Sequence, residues 1–318
     1  MTTLDEALKR IEDQFGKGSV MQGNEVVPCP TLSTGVGLLD RALGGGLAVG
    51  RQIEVFGPES AGKTTLIYSI LSEAQKRGKC AFIDAEHSMD RSYAERCGVD
   101  VHGLLIAQPS NGEEALEIAS QLVGSVELIA VDSVAALVPA AELAGDMGDQ
   151  QVGLQPRLMG KAMRKLAGPC EETGTTIVWI NQVRSSIGGP GGGKEVQPGG
   201  RALPFQASQR IRVAKRFKPA GDLVRGGEVY GHVVRADVRK NKIGIPFRTA
   251  DFDIIYGQGI VKMNALIDLA LSEGVVVQNG SYYVFGDIKG QGKEKFAANL
   301  REAEAQHELE KACQSSAN

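Results

Sequence analysis

The chain has 318 residues, a hydrophobic fraction of 42% and a formal net charge of −3, which suits one large α/β domain with small flanking units and does not suit a disordered chain. No apolar run approaches the roughly 20 residues needed to span a bilayer, and the start, Met1-Thr2-Thr3-Leu4-Asp5-Glu6, lacks the basic and apolar regions of a signal peptide, so the expectation is a cytoplasmic protein with no membrane partner. Five separated cysteines, Cys29, Cys80, Cys97, Cys170 and Cys313, include no Cys-x-x-Cys pair and argue against zinc or redox chemistry.

Leu4, Leu8, Ile11 and Phe15 fall at helical spacing ahead of Gly16 and Gly18, which predicts an amphipathic first helix. Its apolar stripe can cover either its own domain or, given the extended stretch to Pro30, a neighbouring subunit. From about residue 50, short β-branched runs alternate with helical ones: Ile53 to Phe56, a helix from Lys63, Cys80 to Asp84, a helix after Glu113, and Leu128 to Asp132. Such alternation predicts a mostly parallel sheet wrapped by helices. A further helix starts near Pro156, a suitable first-turn residue, and the strand Thr176 to Ile180 follows. A glycine-rich loop from Gly188 to Gly200 then interrupts the pattern, a length that usually signals function. Val229 to Val238 and Phe252 to Tyr256 read as later strands, and the mixed segment after Val261 reads as a small appended domain.

Gly57-Pro58-Glu59-Ser60-Ala61-Gly62-Lys63-Thr64 fits G-x-x-x-x-G-K-[ST] between an apolar strand and a helix. The glycines let backbone N–H groups turn around phosphates, the helix N-terminus adds a favourable dipole, Lys63 supplies charge and Thr64 offers an oxygen to Mg²⁺. Asp132 closes a buried strand at the edge where open α/β sheets bind ligands and is the expected partner of that Mg²⁺. Glu86 follows the strand Ala81 to Asp84 on the same sheet edge, where a carboxylate can take a proton from attacking water; Asp84 is the competing candidate, with a structural role as its alternative, and spacing alone does not choose between them.

Residues 201–248 carry twelve Arg or Lys against Asp222, Glu228 and Asp237, a local excess that predicts a polyanion nearby. Arg157, Lys161 and Arg164 recur at i, i+4 and i+7 and form a basic stripe on one helix face. Such a stripe is either a solvated surface or a phosphate track.

Taken together, the phosphate loop with Thr65, Phe82-Ile83-Asp84-Ala85-Glu86-His87, Val131 to Leu137, Met163 to Gly168, Ile180-Asn181-Gln182-Val183-Arg184 and Lys240-Asn241-Lys242-Ile243 resemble the bacterial RecA recombinase family. The resemblance implies an α/β RecA-type P-loop ATPase core with helices on both sides of the sheet, an N-terminal helix arm and a small C-terminal α/β domain. Its implied boundaries are 1–32 for a polymerisation arm, 33–258 for the ATPase core with DNA-binding loops, and 259–318 for the terminal domain. The implied activity is DNA-dependent ATP hydrolysis with Mg²⁺, filament formation on single-stranded DNA, pairing with a homologous duplex and strand exchange in DNA repair, with stimulation of repressor self-cleavage in the SOS response as a further expectation.

Residue by residue, the resemblance makes Glu86 the water-activating base, sets Asp90 and Tyr93 at the adenine, and makes Gln182 the sensor of the γ-phosphate. It sends Lys240 and Lys242 to the ATP of an adjacent subunit in a helical homo-oligomer. For DNA it implies Arg157, Lys161 and Arg164 on phosphate, Val152 and Ile187 as wedges between bases, Gly199 and Gly200 as backbone donors, and Arg184 and Arg201 as added charge. Lys289, Lys293 and Lys295 are candidates for gathering duplex DNA. The sequence departs from the family pattern at Pro204, where a lysine is usual, at Gly160, in place of a hydroxyl residue, in the small residues of Gly188 to Gly193, and in the uncharged stretch Gln314 to Asn318. Two rivals stay open: a DNA motor, because it shares the ATPase fold, and a nucleotide-gated scaffold with little strand exchange, because of these departures.

Overall fold

The computed structural model describes residues 3–20, 28–146, 153–185, 195–216 and 221–316. By compactness the chain divides into Met1–Pro30 and Thr31–Asn318. The first unit is built on helix α1, Leu4–Phe15. Thr3 caps it reciprocally: its hydroxyl accepts from the Glu6 N–H at 3.4 Å, and its own N–H donates to the Glu6 carboxylate at 3.1 Å. No residue of this helix is buried: Leu4 and Phe15 at the ends of the stripe are exposed, and Leu8 and Ile11 between them are half-buried.

In the second unit, helix α2 (Gly37–Leu43) precedes strand β1 (Gln52–Gly57), helix α3 (Lys63–Ala74), strand β2 (Cys80–Asp84) and helix α4 (Arg91–Arg96). Strand β3 (Leu104–Ala107), helix α5 (Gly112–Leu122), strand β4 (Leu128–Asp132), helix α6 (Leu154–Thr173) and strand β5 (Thr176–Gln182) continue the alternation. After helix α7 (Ala202–Gln206) come strands β6 (Gln209–Lys215), β7 (Asp222–Arg225), β8 (Glu228–Asn241), β9 (Thr249–Ile255) and β10 (Gly259–Ile260).

These strands form one ten-stranded sheet in the order β10-β9-β8-β6-β1-β5-β4-β2-β3, with β7 paired to β8. From β6 to β3 neighbours run parallel, and from β6 to β10 they run antiparallel. Strands β1, β2, β4 and β5 of the parallel half are buried nearly throughout because helices cover both faces. On one face Tyr68 and Phe82 pack with α2 and α3; on the other Trp179 packs with Met159, Met163 and α5.

Six of the twelve basic residues in 201–248 are paired within or beside this sheet. Arg210 pairs with Glu54, Arg212 and Arg239 with Asp237, Lys215 with Asp222, and Arg216 and Arg235 with Asp251. Asp222 and Asp237 belong to the segment itself, so of these partners only Glu54 and Asp251 reduce the expected polyanion-seeking excess, and they do so in part. At the end of the chain, helix α8 (Lys262–Ser272), strands β11 (Val277–Asn279), β12 (Tyr282–Phe285) and β13 (Ile288–Gln291), and helices α9 (Lys293–Glu302) and α10 (Gln306–Ser316) surround their own apolar cluster centred on Phe296, Leu300 and Leu309. No helix among the described residues is long and apolar enough to cross a membrane.

Candidate functional site

Parallel register delivers the chemistry to one sheet edge. Gly57 lies opposite Gln182, and Asp84 opposite Asp132. Beyond β1 the chain turns through the phosphate loop into α3, with Gly62 at φ +93°, a left-handed conformation that suits glycine. Gly57 is required on steric grounds, since a Cβ there would lie 1.9 Å from the Val213 carbonyl oxygen.

Lys63 is buried, and its ammonium donates to the carbonyls of Gly57 at 3.0 Å and Pro58 at 2.6 Å. Burial holds its pKa below the usual lysine value, opposed by the carboxylates of Asp132, Glu86 and Glu59. The Thr64 hydroxyl donates to Asp132 at 3.0 Å. Asp132 is pushed up to about 6, by burial first and then by the nearby Glu86.

A hydroxyl and a carboxylate in contact, beside surplus negative charge, fit a hard divalent cation with oxygen ligands such as Mg²⁺. Among the described residues no group of three or more His, Cys, Asp or Glu side chains is arranged to hold a metal. A cation here would draw its remaining ligands from phosphate and water.

The structure separates the two rival carboxylates. Asp84 is fully buried and accepts from the N–H groups of Ser88 and Met89, at 3.0 and 3.2 Å, and from the Gln108 amide at 3.0 Å. Its role is to hold the loop after β2. Glu86 is exposed, its backbone N–H tied to the Asp132 carbonyl, and its carboxylate accepts from the Ser133 hydroxyl and from the Gln182 amide, the latter at 3.0 Å. Ser133 was quoted in the sequence only as part of a motif; its hold on Glu86 requires the β2–β4 pairing.

A cleft of about 460 Å³ opens beside the loop, lined by Ser60 to Thr65 together with Asp90 and Tyr93. The Tyr93 hydroxyl shares a 2.8 Å hydrogen bond with Thr65. Asp90 caps α4, accepting from the Tyr93 N–H at 3.0 Å and the Ser92 hydroxyl at 2.8 Å; the N–H bond, then the hydroxyl, holds its pKa below the ordinary value. The cleft also contains Arg96, His232, Ile254, Tyr256 and Gly257, which sequence reading missed. Buried His232 is kept below its usual pKa by desolvation and then by the Lys215 ammonium.

Lys240 and Lys242 do not line this cleft. Lys240 donates to the carbonyls of Pro204 at 3.0 Å and Phe205 at 2.7 Å, while Lys242 is exposed. Pro204 thus leaves α7 a carbonyl that anchors Lys240, beside a Phe205 that is 70% exposed.

On α6, Arg157, Lys161 and Arg164 are exposed opposite buried Met159, Met163 and Leu166. Gly160 is buried, with room for a Cβ between the Arg164 guanidinium and Ala202. Residues 184–185 and 195–196 pair as a short antiparallel ribbon at the root of the glycine-rich loop. Val152, Ile187 and the loop tip lie outside the described residues, and only the backbone of Arg184 is described.

Arg201 is exposed. The Gly199 N–H, expected to face phosphate, here donates to the Gln155 side chain at 3.2 Å. A Cβ at Gly199 would crowd Val134 at 3.0 Å, and one at Gly200 would crowd Pro156 at 2.9 Å. Of the three lysines in the terminal segment, Lys293 pairs with Asp268, Lys289 lies over the Tyr282 ring, and Lys295 is exposed.

A family model described as the RecA N-terminal domain matches residues 2–261, and one described as the RecA C-terminal domain matches residues 264–317. The chain is 50% identical over 306 residues to the protein RecA of Aquifex aeolicus (strain VF5), spanning 94% of this chain and 88% of that one. It is 50% identical over 307 residues to the protein RecA of Paracoccus denitrificans, at 94% and 85% coverage. Over 306 residues it is 47% identical to that of Rubrobacter xylanophilus, at 94% and 88% coverage.

Proposed function

Because this chain belongs to the RecA family, we propose that it is a cytoplasmic DNA-dependent ATPase that forms helical filaments on single-stranded DNA, pairs them with a homologous duplex and exchanges strands. The observation that carries this reading is the contact of Gln182 with Glu86, because the chain leaves Gln182 directly into the ribbon and the glycine-rich loop. One side chain thereby sees both the reacting end of the nucleotide and the root of a DNA-binding loop.

In this reading Lys63 releases the Gly57 and Pro58 carbonyls to meet the phosphates of ATP, with Glu59, Ser60 and Ala61 contributing loop backbone. Thr64 and Asp132 would hold Mg²⁺, which would supply neutralisation of phosphate charge. Glu86 takes the proton of the attacking water, and Gln182 exchanges its bond to Glu86 for one to the γ-phosphate. Asp90 and Tyr93 face the adenine.

Arg157, Lys161, Arg164, Arg184 and Arg201 grip the DNA backbone, Gly200 adds a backbone donor, and Gly199 does so once Gln155 releases it. Val152 and Ile187 separate the bases. Lys240 and Lys242 complete the cleft of an adjacent subunit, and the apolar stripe of α1 docks on a neighbour. Stimulation of repressor self-cleavage belongs to the same filament state.

The test is ATP turnover with and without single-stranded DNA, with filaments imaged in the same samples and joint molecules assayed on a homologous duplex. DNA-stimulated turnover with filaments and joint molecules is the expected result. Oligonucleotide affinity identical in the empty, ADP and ATP states would sink the reading.

A further inference from the structure

We infer that the pair of buried Glu54 and half-buried Arg210 is a positioning bridge that carries the state of the nucleotide cleft to the exit of the glycine-rich loop; the inference rests on the reading that nucleotide governs the DNA grip. Glu54 lies three residues before Gly57 on β1 and is 0% exposed. Arg210 stands in register with it on the adjoining strand β6 and stacks over the Phe56 ring at 4.6 Å.

Both carboxylate oxygens are used. Oε2 accepts from Arg210 Nε, and Oε1 accepts from the Asn181 amide at 3.0 Å. Both partners also reach the loop exit: Arg210 Nη2 donates to the Gln197 Oε1 at 2.8 Å, and Asn181 Nδ2 donates to the Pro198 carbonyl at 3.2 Å. On the other side, the Gln182 N–H donates to the Asn181 Oδ1 at 3.0 Å, and the Gln182 side chain is the one on Glu86. An unbroken chain of hydrogen bonds therefore runs from the catalytic carboxylate to the residues on which the loop closes.

Stability does not require this arrangement. Burying an ion pair in a sheet generally costs more than burying apolar residues of the same volume. What the pair provides is geometry. A fixed guanidinium fork links one carboxylate to one amide, so a shift of Gln182 toward phosphate moves Asn181 and, with it, the Pro198 carbonyl. Gln197 and Arg210 are positioning residues, since neither touches the cleft. Coupling of this kind has to be shown by perturbation rather than by proximity.

The test uses the full chain with a thymidine oligonucleotide, measuring kcat and KM for ATP with no DNA and at saturating DNA, beside thermal unfolding. Gln197→Met keeps the length of the side chain but removes the acceptor. It is expected to leave DNA-free kcat and KM within about twofold and to lower the DNA-stimulated kcat about tenfold. Gln197→Glu retains an acceptor for Arg210 and is expected to restore the plateau, with its added charge raising only the DNA concentration needed. Arg210→Lys keeps a cation beside Glu54 yet lacks the second guanidinium arm, and is expected to lose the plateau as Gln197→Met does.

A wild-type plateau in Gln197→Met, an equal plateau loss in Gln197→Met and Gln197→Glu, or an equal fall with and without DNA each overturns the bridge. Absence of any DNA stimulation in the unmodified protein overturns the functional reading itself.

Discussion

Exchanging the two acids after β2 for amides separates catalysis from structure. Glu86 is exposed and holds only two donors, Ser133 and Gln182. Glu86→Gln keeps an oxygen for those donors but cannot take a proton, so turnover is expected to fall by about 10²–10⁴, or roughly 2.7–5.4 kcal/mol of barrier. Folding stability should stay within about 0.5 kcal/mol, as for other exposed substitutions. Asp84 has the opposite environment, being 0% exposed with both oxygens occupied by donors. In Asp84→Asn one of those oxygens becomes an NH₂ group facing a donor, at an expected cost of about 1.5–3 kcal/mol in stability, while each folded molecule still hydrolyses ATP. Single-turnover hydrolysis with enzyme in excess reads the first effect, and urea unfolding reads the second. Near-normal hydrolysis by Glu86→Gln, or loss of hydrolysis without loss of stability in Asp84→Asn, would reverse the two roles.

Two further outcomes follow from charge. Asp40 is raised to about 6, because burial outweighs its hydrogen bonds from Ser33 and Thr34. Its folded pKa exceeds the unfolded value, so folding is favoured most below about pH 3, where both states hold the proton. That advantage, at most about 3 kcal/mol, is lost as pH rises to about 6. The urea midpoint of the unmodified protein should therefore decline relative to Asp40→Asn across this window; a constant difference refutes the assignment. Arg164→Ala should flatten the slope of log DNA affinity against log salt by about 0.7, the loss of one phosphate contact on a single strand. Titrations of a labelled oligonucleotide over a salt series measure it, and an unchanged slope returns that side chain to solvent.

Strands β2 and β4 of the parallel half were legible because each is a continuous apolar run closed by an aspartate. Cys80–Asp84 and Leu128–Asp132 fall where the pattern put them. Strand β6 was not legible. Gln209, Arg210, Arg212 and Lys215 make it look like charged surface, whereas the alternate residues Ile211 and Val213 are in the core and the charges are paired. Local composition cannot reveal that Glu54 waits 156 residues away.

The same limit hid His232 and Tyr256. They reach the cleft through the antiparallel edge of the sheet, and no spacing near the phosphate loop announces them. The choice between Asp84 and Glu86 was open in the sequence for another reason: Asp84 ends the strand and Glu86 stands two residues beyond it, and only burial and partners distinguish them.

The placement of Gln182 explains why this fold can make nucleotide state felt at a distance. Parallel strands with crossover helices bring their carboxyl ends to one edge, so the phosphate loop after Gly57, Asp132 and Gln182 meet there without any loop having to reach across. Most of those strands lead into turns fixed by packing, as after Asp84, where Ser88, Met89 and Gln108 all bind the carboxylate. Strand β5 leads instead into the two-residue ribbon and the glycine-rich segment, whose exit returns to Asn181, Arg210 and Gln155. On the proposed reading, a Gln182 that exchanges Glu86 for phosphate draws its own N–H with it, and the shift passes through the Asn181 side chain to the Pro198 carbonyl at the loop exit.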